Sequence, residues 1–253
     1  MKISYYPISI AETQFVPTIK NLALLPGVKR ICEIGGGANP SLDYEFVSKH
    51  KLDYTVLDIS QTELDKTPSC YKKIRADITD ETLNLGTQFD LIFSRMVAEH
   101  VRNVDNFHKN VLYLLDAEGI VLHLFPTLFT LPFVLNKLIP ESLSYVLLDY
   151  FAPRDKEMNS KFKAYYNWCF GPIEANIRHL EQFGYIIIEY DGIFGHGYYG
   201  KVKFLDKLEN LKTQFLLQHP IPYLTSYAYL CLAKQENNLV SNMNFESLIK
   251  SEM

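Results

Sequence analysis

Short apolar runs alternate with mixed polar and apolar stretches between residues 30 and 125 of this 253-residue chain. Apolar runs bounded by polar residues or glycine are typical of strands that are covered on both faces. They predict five strands, at residues 31–34, 54–57, 72–75, 89–95 and 119–125. Because helical stretches separate these runs, the pattern predicts an α/β fold with a mostly parallel sheet and helices on both faces.

The flanking segments extend this pattern in both directions. Apolar residues at helical spacing predict a helix over 11–24 before the first strand and another over 97–115 after the fourth, followed by a turn at 117–119. Four more elements are predicted further along, namely helix 172–183, strand 185–190, helix 202–217 and strand 223–233. We therefore expect a single domain over residues 1–235, followed by a polar tail over 236–253.

Residues 126–170 interrupt the alternation and are interpreted as an insertion after the fifth strand. Its apolar part, 128–140, contains two prolines, an asparagine and a lysine, and is too short to span a bilayer. A helical stretch at 142–150 and a charged segment at 154–163 are predicted to follow. Three interpretations of the insertion stay open, which are a lid over a binding site, a peripheral membrane contact and a homodimer interface.

Three consecutive glycines follow the first predicted strand in the sequence R-I-C-E-I-G-G-G-A-N-P over residues 30–40. Glycine has no Cβ atom, so a turn that contains Gly35 and Gly37 can bring its backbone close to a ligand. We expect a helix to begin near Asn39 or Ser41, with its N–H groups directed at the same crevice. A dinucleotide fingerprint needs a third glycine at position 40, where this chain has proline, so the pattern excludes that class of site.

Polar side chains stand at the ends of the next predicted strands. Asp58 follows the second strand, Asp77 follows the third, and Ser94 and Arg95 end the fourth. The carboxyl ends of parallel strands meet at one edge of the sheet, where α/β proteins bind their ligands. There Asp58 could accept hydrogen bonds from ribose hydroxyls, and Asp77 from the exocyclic amine of an adenine. The acidic cluster over 77–81 has the alternative role of capping a helix.

Four successive motifs resemble those of class I S-adenosylmethionine-dependent methyltransferases: E-x-G-x-G from Glu33, Asp58, Ala76-Asp77, and F-D-L-I-F-S-R-M-V-A-E-H-V from Phe89. The resemblance covers about residues 30–125. It implies an enzyme with S-adenosylmethionine as cofactor and a seven-stranded Rossmann-like sheet whose last strand lies antiparallel between the fifth and sixth. It also implies the cofactor-binding residues Glu33, Gly35, Gly36, Gly37, Asp58, Ile59, Asp77, Ile78, Ser94 and Arg95.

Two histidines and three aromatic residues are the candidates for the acceptor side of such a reaction. His123, near the end of the fifth strand, and His100 could each take a proton from an acceptor hydroxyl near neutral pH. The alternative for each is a structural, hydrogen-bonded histidine. Tyr165, Tyr166 and Trp168 could line the substrate pocket, because flat rings with polar tips stack on sugars and planar molecules; the alternative is a hydrophobic plug.

A less specific resemblance concerns the acceptor. The run H-L-F-P-T-L-F-T-L-P-F-V-L-N-K-L-I-P, together with A-Y-Y-N-W-C from Ala164, is similar to methyltransferases associated with bacterial surface-glycan synthesis. This implies O-methylation of a sugar hydroxyl on a glycan or glycan precursor. The alternative acceptor is a small aromatic, quinone or lipid-like molecule. The alternative of another class is a non-catalytic protein that binds S-adenosylmethionine or acts as a scaffold.

Composition narrows the partners. A formal net charge of −4 gives little basis for binding a phosphate backbone, so we expect no nucleic-acid partner. The sequence shows no convincing metal-ligand pattern, so we expect no metal. The four cysteines are scattered, as expected of reduced thiols that pack as small apolar side chains. The N-terminal region lacks a sustained apolar core, so we expect no cleaved secretory signal and a cytoplasmic location.

Overall fold

A computed structural model describes residues 1–138, 162–235 and 237 of the chain. The described elements form an eight-stranded sheet with helices on both faces. The strands are β1 (Tyr5–Pro7), β2 (Arg30–Ile34), β3 (Asp53–Asp58), β4 (Lys72–Arg75), β5 (Phe89–Arg95), β6 (Leu115–Pro126), β7 (Tyr185–Phe194) and β8 (Tyr227–Lys234). The described α-helices are α1 (Ile8–Thr13), α2 (Phe15–Ala23), α3 (Tyr44–Lys49), α4 (Gln61–Lys66), α5 (Val104–Leu114), α6 (Leu131–Leu138), α7 (Glu174–Gln182) and α8 (Lys203–Gln218).

Apolar side chains cover both faces of the sheet. On one face α5 and α7 contribute buried residues that include Phe107, Val111 and Leu180. On the other face α2 contributes Phe15 and Ile19, which pack on β2, β5 and their neighbours. Each fully buried side chain of this kind contributes about 1.5 to 3 kcal/mol relative to leaving it in water. The central strands are apolar on both faces for this reason, and the predicted α/β architecture is confirmed.

The strands lie in the order β1-β7-β8-β6-β5-β2-β3-β4. Strand β8 is antiparallel to both β6 and β7, whereas the other neighbouring pairs are parallel. The predicted position of the last strand is therefore confirmed. The sheet has eight strands rather than the predicted seven, because β1 pairs with β7 at the edge.

The direction in which the chain builds the sheet reverses between β2 and β5. From β2 the chain moves outward through β3 and β4, and it then returns to add β5 and β6 on the other side. Such a reversal leaves a crevice at the carboxyl ends of the two central strands, since their following loops turn to opposite sides. The fold therefore directs the glycine loop after β2 and the loop after β5 to the same place.

Several predicted boundaries are wrong. The helix predicted over 97–115 begins at Val104, after a 3-10 turn at Ala98–His100, and the side chain of Asn103 caps it. Strand β6 begins at Leu115, so the turn predicted at 117–119 is part of that strand. The helix predicted over 11–24 is divided into α1 and α2 at Gln14. The four elements predicted beyond residue 170 are present as α7, β7, α8 and β8.

The helix after the glycine run begins at Tyr44, not near Asn39 or Ser41. The carboxylate of Asp43 accepts a hydrogen bond from the backbone N–H of Phe46 at 2.7 Å and defines the helix start. A side-chain cap of this kind satisfies one of the free N–H groups of the first turn. The preceding residues form a turn instead of the expected helix.

Much of the predicted insertion at 126–170 lies outside the described residues, including the helical stretch at 142–150 and nearly all of the charged segment at 154–163. Its described parts are residues 126–138, which include α6, and residues 162–170. The tail predicted over 236–253 also lies outside, apart from residue 237, and the domain division stays a prediction. No helix within the described ranges is long and apolar enough to cross a membrane.

The four cysteines are free thiols. Cys32, Cys169 and Cys231 are buried among apolar side chains, which confirms the packing interpretation for these three. Cys70 is exposed, so that interpretation is wrong for this residue. In the described part of the chain, no group of three or more His, Cys, Asp and Glu side chains is placed to hold a metal ion.

Candidate active site

A cavity of about 820 Å³ opens at the carboxyl ends of β2, β3, β4 and β5. This volume lies within the range of about 300–1,000 Å³ that small-molecule sites occupy. One group of lining residues comes from the strand ends: Gly35, Leu57, Asp58, Ile59, Asp77, Ile78 and Arg95. A second group comes from the loop after β5, the insertion and the far strands: His100, Phe133, Tyr165, Tyr166, Tyr198 and Tyr227. The cavity therefore joins most of the predicted cofactor residues to predicted acceptor residues.

Glu33 is a buried carboxylate that supports the glycine loop. It accepts hydrogen bonds from the hydroxyl of Tyr54, from the hydroxyl of Ser41 at 2.5 Å and from the backbone N–H of Ser41 at 2.9 Å. Burial raises the pKa of Glu33, and these hydrogen bonds oppose the rise. A Cβ atom on Gly36 would lie 2.8 Å from Glu33 Cδ, so only glycine lets the loop fold onto the carboxyl group. Glu33 does not itself line the cavity.

Gly35 and Gly37 both adopt a positive φ, at 75° and 39°. The N–H of Gly35 donates to the carbonyl of Leu57 at 2.7 Å, which ties the loop to the end of β3. A Cβ atom on Gly35 would collide with the side chain of Val97, which belongs to the loop after β5. A Cβ atom on Gly37 would lie 3.0 Å from Asp58 Oδ2. The two glycines therefore allow three strand ends to meet closely.

Two carboxylates follow neighbouring strands at one end of the cavity. Asp58 is 8% exposed, its Oδ1 accepts the N–H of Ser60 at 2.8 Å, and burial raises its pKa. Asp77 is exposed and accepts both the N–H and the hydroxyl of Thr79 at 2.8 Å. This end of the cavity is lined by Asp58, Ile59, Asp77 and Ile78. Carboxylates beside apolar walls suit a ligand with hydroxyl and amine donors on a flat ring.

The two predicted cofactor residues at the end of β5, Ser94 and Arg95, lie in different environments. Ser94 is fully buried, hydrogen-bonds His123 and does not line the cavity. Arg95 lines it, and its guanidinium lies 5.6 Å from the centre of the Phe15 ring. Met96 follows with a φ of 55°, a conformation uncommon for residues other than glycine. This backbone turn leads the chain from the sheet into the wall of the cavity.

Residues 162–166 form the opposite wall and are held by the loop after β5. The carbonyl of Glu99 accepts the N–H groups of Tyr165 and Tyr166, at 2.7 and 3.0 Å. The amide of Asn167 donates to the carbonyl of Arg102 at 2.9 Å. These bonds place the tyrosines predicted to contact substrate at the cavity, next to the strand ends that bear the carboxylates.

His100 lies in this wall with a defined tautomer. Its Nδ1 is 3.0 Å from the carbonyl oxygen of Lys163, and because a carbonyl only accepts, Nδ1 carries the hydrogen. In the neutral ring Nε2 then bears the lone pair, and it lies 3.7 Å from Glu99 Oε1. A carboxylate at this distance stabilises the imidazolium that forms when Nε2 accepts a proton. His100 thus lies at the cavity with Nε2 beside the Glu99 carboxylate.

His123 and Trp168 lie away from the cavity. His123 is 1% exposed, its Nδ1 is 2.7 Å from Ser94 Oγ, and burial lowers its pKa to about 3, so the ring is neutral near neutral pH. Trp168 stacks on His179, with 3.9 Å between the ring centres. Both residues line a separate void of about 20 Å³. Neither side chain lines the large cavity, so neither can contact an acceptor that is bound there.

Most of the other lining residues are absent from the sequence-based prediction, among them Glu99, Phe133, Tyr198 and Tyr227. Topology could have found two of them. Tyr198 lies in the glycine-rich loop that follows β7, a parallel strand that ends at the same edge. Tyr227 opens β8, and the first residue of an antiparallel strand lies at the carboxyl edge of its parallel neighbours.

Residues 33–123 match the family model of a methyltransferase domain. The match begins at Glu33, includes the glycine loop, Asp58, Asp77, Arg95 and His100, and ends in β6. No curated protein matches the chain in sequence. The predicted enzyme class, a methyltransferase, is confirmed by the matched domain. The predicted association with glycan synthesis stays a prediction.

Solved structures of methyltransferases share the fold. Phosphoethanolamine N-methyltransferase 2 of Haemonchus contortus, in complex with S-adenosyl-L-methionine, has 15% identity and a TM-score of 0.52. The match covers 90% of this chain but only 55% of the Haemonchus protein. The plantazolicin methyltransferase BpumL, in complex with SAH, has 14% identity and a TM-score of 0.52 over 90% of this chain and 85% of its own. A SAM-dependent methyltransferase from Archaeoglobus fulgidus has 12% identity and a TM-score of 0.52. That match covers 90% of this chain and 93% of the Archaeoglobus protein. At these identities the likeness shows the Rossmann-like methyltransferase fold.

Replacing Glu33 tests its role as a support. In Glu33→Ala the hydroxyls of the buried Tyr54 and the half-buried Ser41 lose their acceptor, so we expect the free energy of unfolding to fall by about 2 kcal/mol or more. Urea unfolding measures the change. The matched control Glu181→Ala removes an exposed glutamate from α7 and should change it by less than about 0.5 kcal/mol. Equal stabilities of Glu33→Ala and the unaltered protein would show that the carboxylate does not hold the loop.

Proposed function

We propose that the chain is an S-adenosylmethionine-dependent methyltransferase that O-methylates a sugar hydroxyl of a glycan or glycan precursor. The observation that carries the proposal is the continuous cavity of about 820 Å³, which extends from the glycine loop to His100 and the tyrosines. A transferase needs its donor and acceptor in one enclosed space, because reaction requires alignment of the two reacting atoms. The matched domain over residues 33–123 supports the same reaction class.

The donor fits the strand-end half of the cavity. Gly35 lines the cavity, and the Asp58 carboxylate beside the glycine loop is an acceptor for ribose hydroxyls. Asp77 and Ile78 supply a carboxylate and an apolar wall for the adenine ring. The bound donor supplies a methyl group activated by a positively charged sulfur. The predicted roles of these residues are thus retained as part of the proposal.

His100 acts as the general base on the acceptor hydroxyl. Its Nε2 takes the hydroxyl proton as the oxygen forms its bond to the methyl carbon and the bond between carbon and sulfur breaks, with the electron pair remaining on sulfur. Lys163 O fixes the tautomer, and the Glu99 carboxylate stabilises the protonated ring. The products are the methyl ether and S-adenosylhomocysteine, and the proton leaves from His100 to solvent.

The acceptor half of the cavity combines aromatic surface with polar groups. Tyr165, Tyr166 and Tyr198 provide rings with hydroxyl tips, and Arg102 and Lys163 provide cationic donors. Sugars present apolar ring faces edged by hydroxyls, so a wall of this composition favours a glycan acceptor. The apolar contacts among Phe133, Tyr166 and Tyr227 favour the second candidate, a small aromatic, quinone or lipid-like acceptor.

The donor site is tested with Asp58→Ala. If Asp58 accepts hydrogen bonds from the ribose, the variant should bind S-adenosylmethionine and S-adenosylhomocysteine more weakly by about 1.5 to 3 kcal/mol for each bond lost. Isothermal titration calorimetry measures this. Asp53→Ala is the control, since Asp53 is an exposed aspartate at the opposite end of the same strand. Unchanged affinity in Asp58→Ala would remove this residue from the donor site.

The acceptor is tested by a screen with a methyl-labelled donor. Lipid-linked and nucleotide-linked glycan intermediates are assayed beside small phenols and quinones, and we expect label to appear on a sugar hydroxyl. Turnover of phenols or quinones alone would overturn the glycan assignment while leaving the methyltransferase in place. Binding of the donor without transfer to any acceptor would favour a non-catalytic S-adenosylmethionine-binding protein.

The base is tested with His100→Ala. We expect kcat to fall about 100-fold or more, because a positioned general base contributes at least about this factor, whereas donor affinity should not change. His219→Ala, which replaces an exposed histidine after α8, is the control. An unaltered kcat in His100→Ala would assign proton removal to solvent or to another group.

A further inference from the structure

Helix α8 carries an apolar stripe on its outer surface. Phe204, Leu208, Leu211 and Phe215 are exposed to 71, 48, 54 and 56%. At 100° per residue these four side chains fall within about 60° of one another around the helix axis. They therefore form one continuous face about three turns long. An exposed apolar face of this length is a mark of an interaction surface.

The stripe is not the face that packs on the protein. That face contains Glu209, Thr213 and Leu216, which are buried and lie on average about 140° around the axis from the stripe. Glu209 is bound there by Lys212 at 2.7 Å and lies 3.5 Å from Nε2 of the buried His196. The orientation of α8 is thus fixed by its inner side, and the outer apolar stripe is left in solvent.

Lysines border the stripe on both sides. Lys203 and Lys207 lie along one border and Lys212 along the other, and all three are exposed. Glu209 pairs with Lys212, so the positive charge beside the stripe comes mainly from Lys203 and Lys207. The helix therefore presents aromatic and leucine side chains beside the positive charge of Lys203 and Lys207. This is the pattern of helices that lie in the interface of an anionic lipid bilayer.

We propose that the outer face of α8 docks on an anionic membrane surface, with its stripe among the lipid chains and its lysines at the headgroups. Charge favours this occupant over a second copy of the chain. In a symmetric dimer the same patch would face itself, which would bring two lysine-bordered surfaces together. An anionic bilayer instead offers the apolar interior and the negative charge that this face lacks.

This surface differs from the one that the sequence suggests. The membrane contact expected for the insertion at 126–170 would involve α6, whose Leu131, Leu135 and Leu138 are also exposed. In α6, however, Lys137 is the one cation among the described residues of the helix. Helix α8 has both the apolar stripe and the lysines that a membrane-binding face needs. The membrane contact proposed for it does not depend on the proposed enzymatic function.

Sedimentation with lipid vesicles tests the proposal on the full chain. We expect the protein to sediment with vesicles of phosphatidylcholine mixed with phosphatidylglycerol, less with phosphatidylcholine alone, and less at high ionic strength. Leu208→Ser/Leu211→Ser should reduce the partition coefficient more than about tenfold, since two apolar side chains no longer enter the bilayer. Lys203→Gln/Lys207→Gln should reduce it about tenfold or more, because each lysine contributes about fivefold near an anionic surface.

Two matched variants control for the loss of exposed leucine or lysine side chains outside α8. Leu24→Ser changes a leucine that is 50% exposed at the end of α2, and Lys49→Gln/Lys109→Gln removes two exposed lysines elsewhere; both should sediment as the unaltered protein does. Unfolding midpoints verify that all variants are folded. Failure of the unaltered protein to sediment with anionic vesicles would overturn the proposal. A concentration-dependent dimer that Leu208→Ser/Leu211→Ser dissociates would also overturn it, in favour of a second copy.

Discussion

A buried carboxylate at the centre of the sheet determines how the site is built. Glu33 cannot remain in the interior without hydrogen bonds, since a buried polar group left without a partner costs about 1 to 3 kcal/mol. Its partners come from β3, through Tyr54, and from the turn before α3, through Ser41. Satisfying this one group draws the turn and the strand together, and the glycine loop between them has to pass over the carboxyl group. Gly36 permits that passage, because any Cβ atom there would collide with Glu33.

The rest of the site follows from the geometry of parallel strands. Their carboxyl ends share one edge, and the reversal of strand order between β2 and β5 opens the crevice there. The close approach of Gly35 to Val97 brings the two central loops together. The loop after β5 then holds the opposite wall through the carbonyl groups of Glu99 and Arg102. A chain of contacts therefore links the support under Glu33 to the tyrosines that line the cavity.

Sequence alone predicts the parts of this arrangement that depend on local pattern. Strand β5, at Phe89–Arg95, is predicted with both ends correct, because its apolar residues form a run bounded by polar ones. Strand β1 has three half-buried residues, which leave no periodicity to detect. His100 and His123 resemble each other in sequence, and only the pairing of β5 with β6, which places His123 opposite Ser94, shows which of them is remote from the cavity. Side-chain direction of this kind depends on register and on contacts between distant segments.

The segment between β7 and α8 connects the cavity to the apolar stripe of α8. Tyr198 lines the cavity a few residues before the apolar stripe begins at Phe204, and the contact of His196 with Glu209 fixes this loop against the helix. A bilayer bound to α8 would thus lie within one short loop of the acceptor side of the site. An acceptor attached to a lipid would be concentrated at that surface, whereas a freely soluble acceptor would gain nothing from it. If α8 docks on a bilayer as proposed, the stripe favours an acceptor linked to a lipid over a freely soluble one.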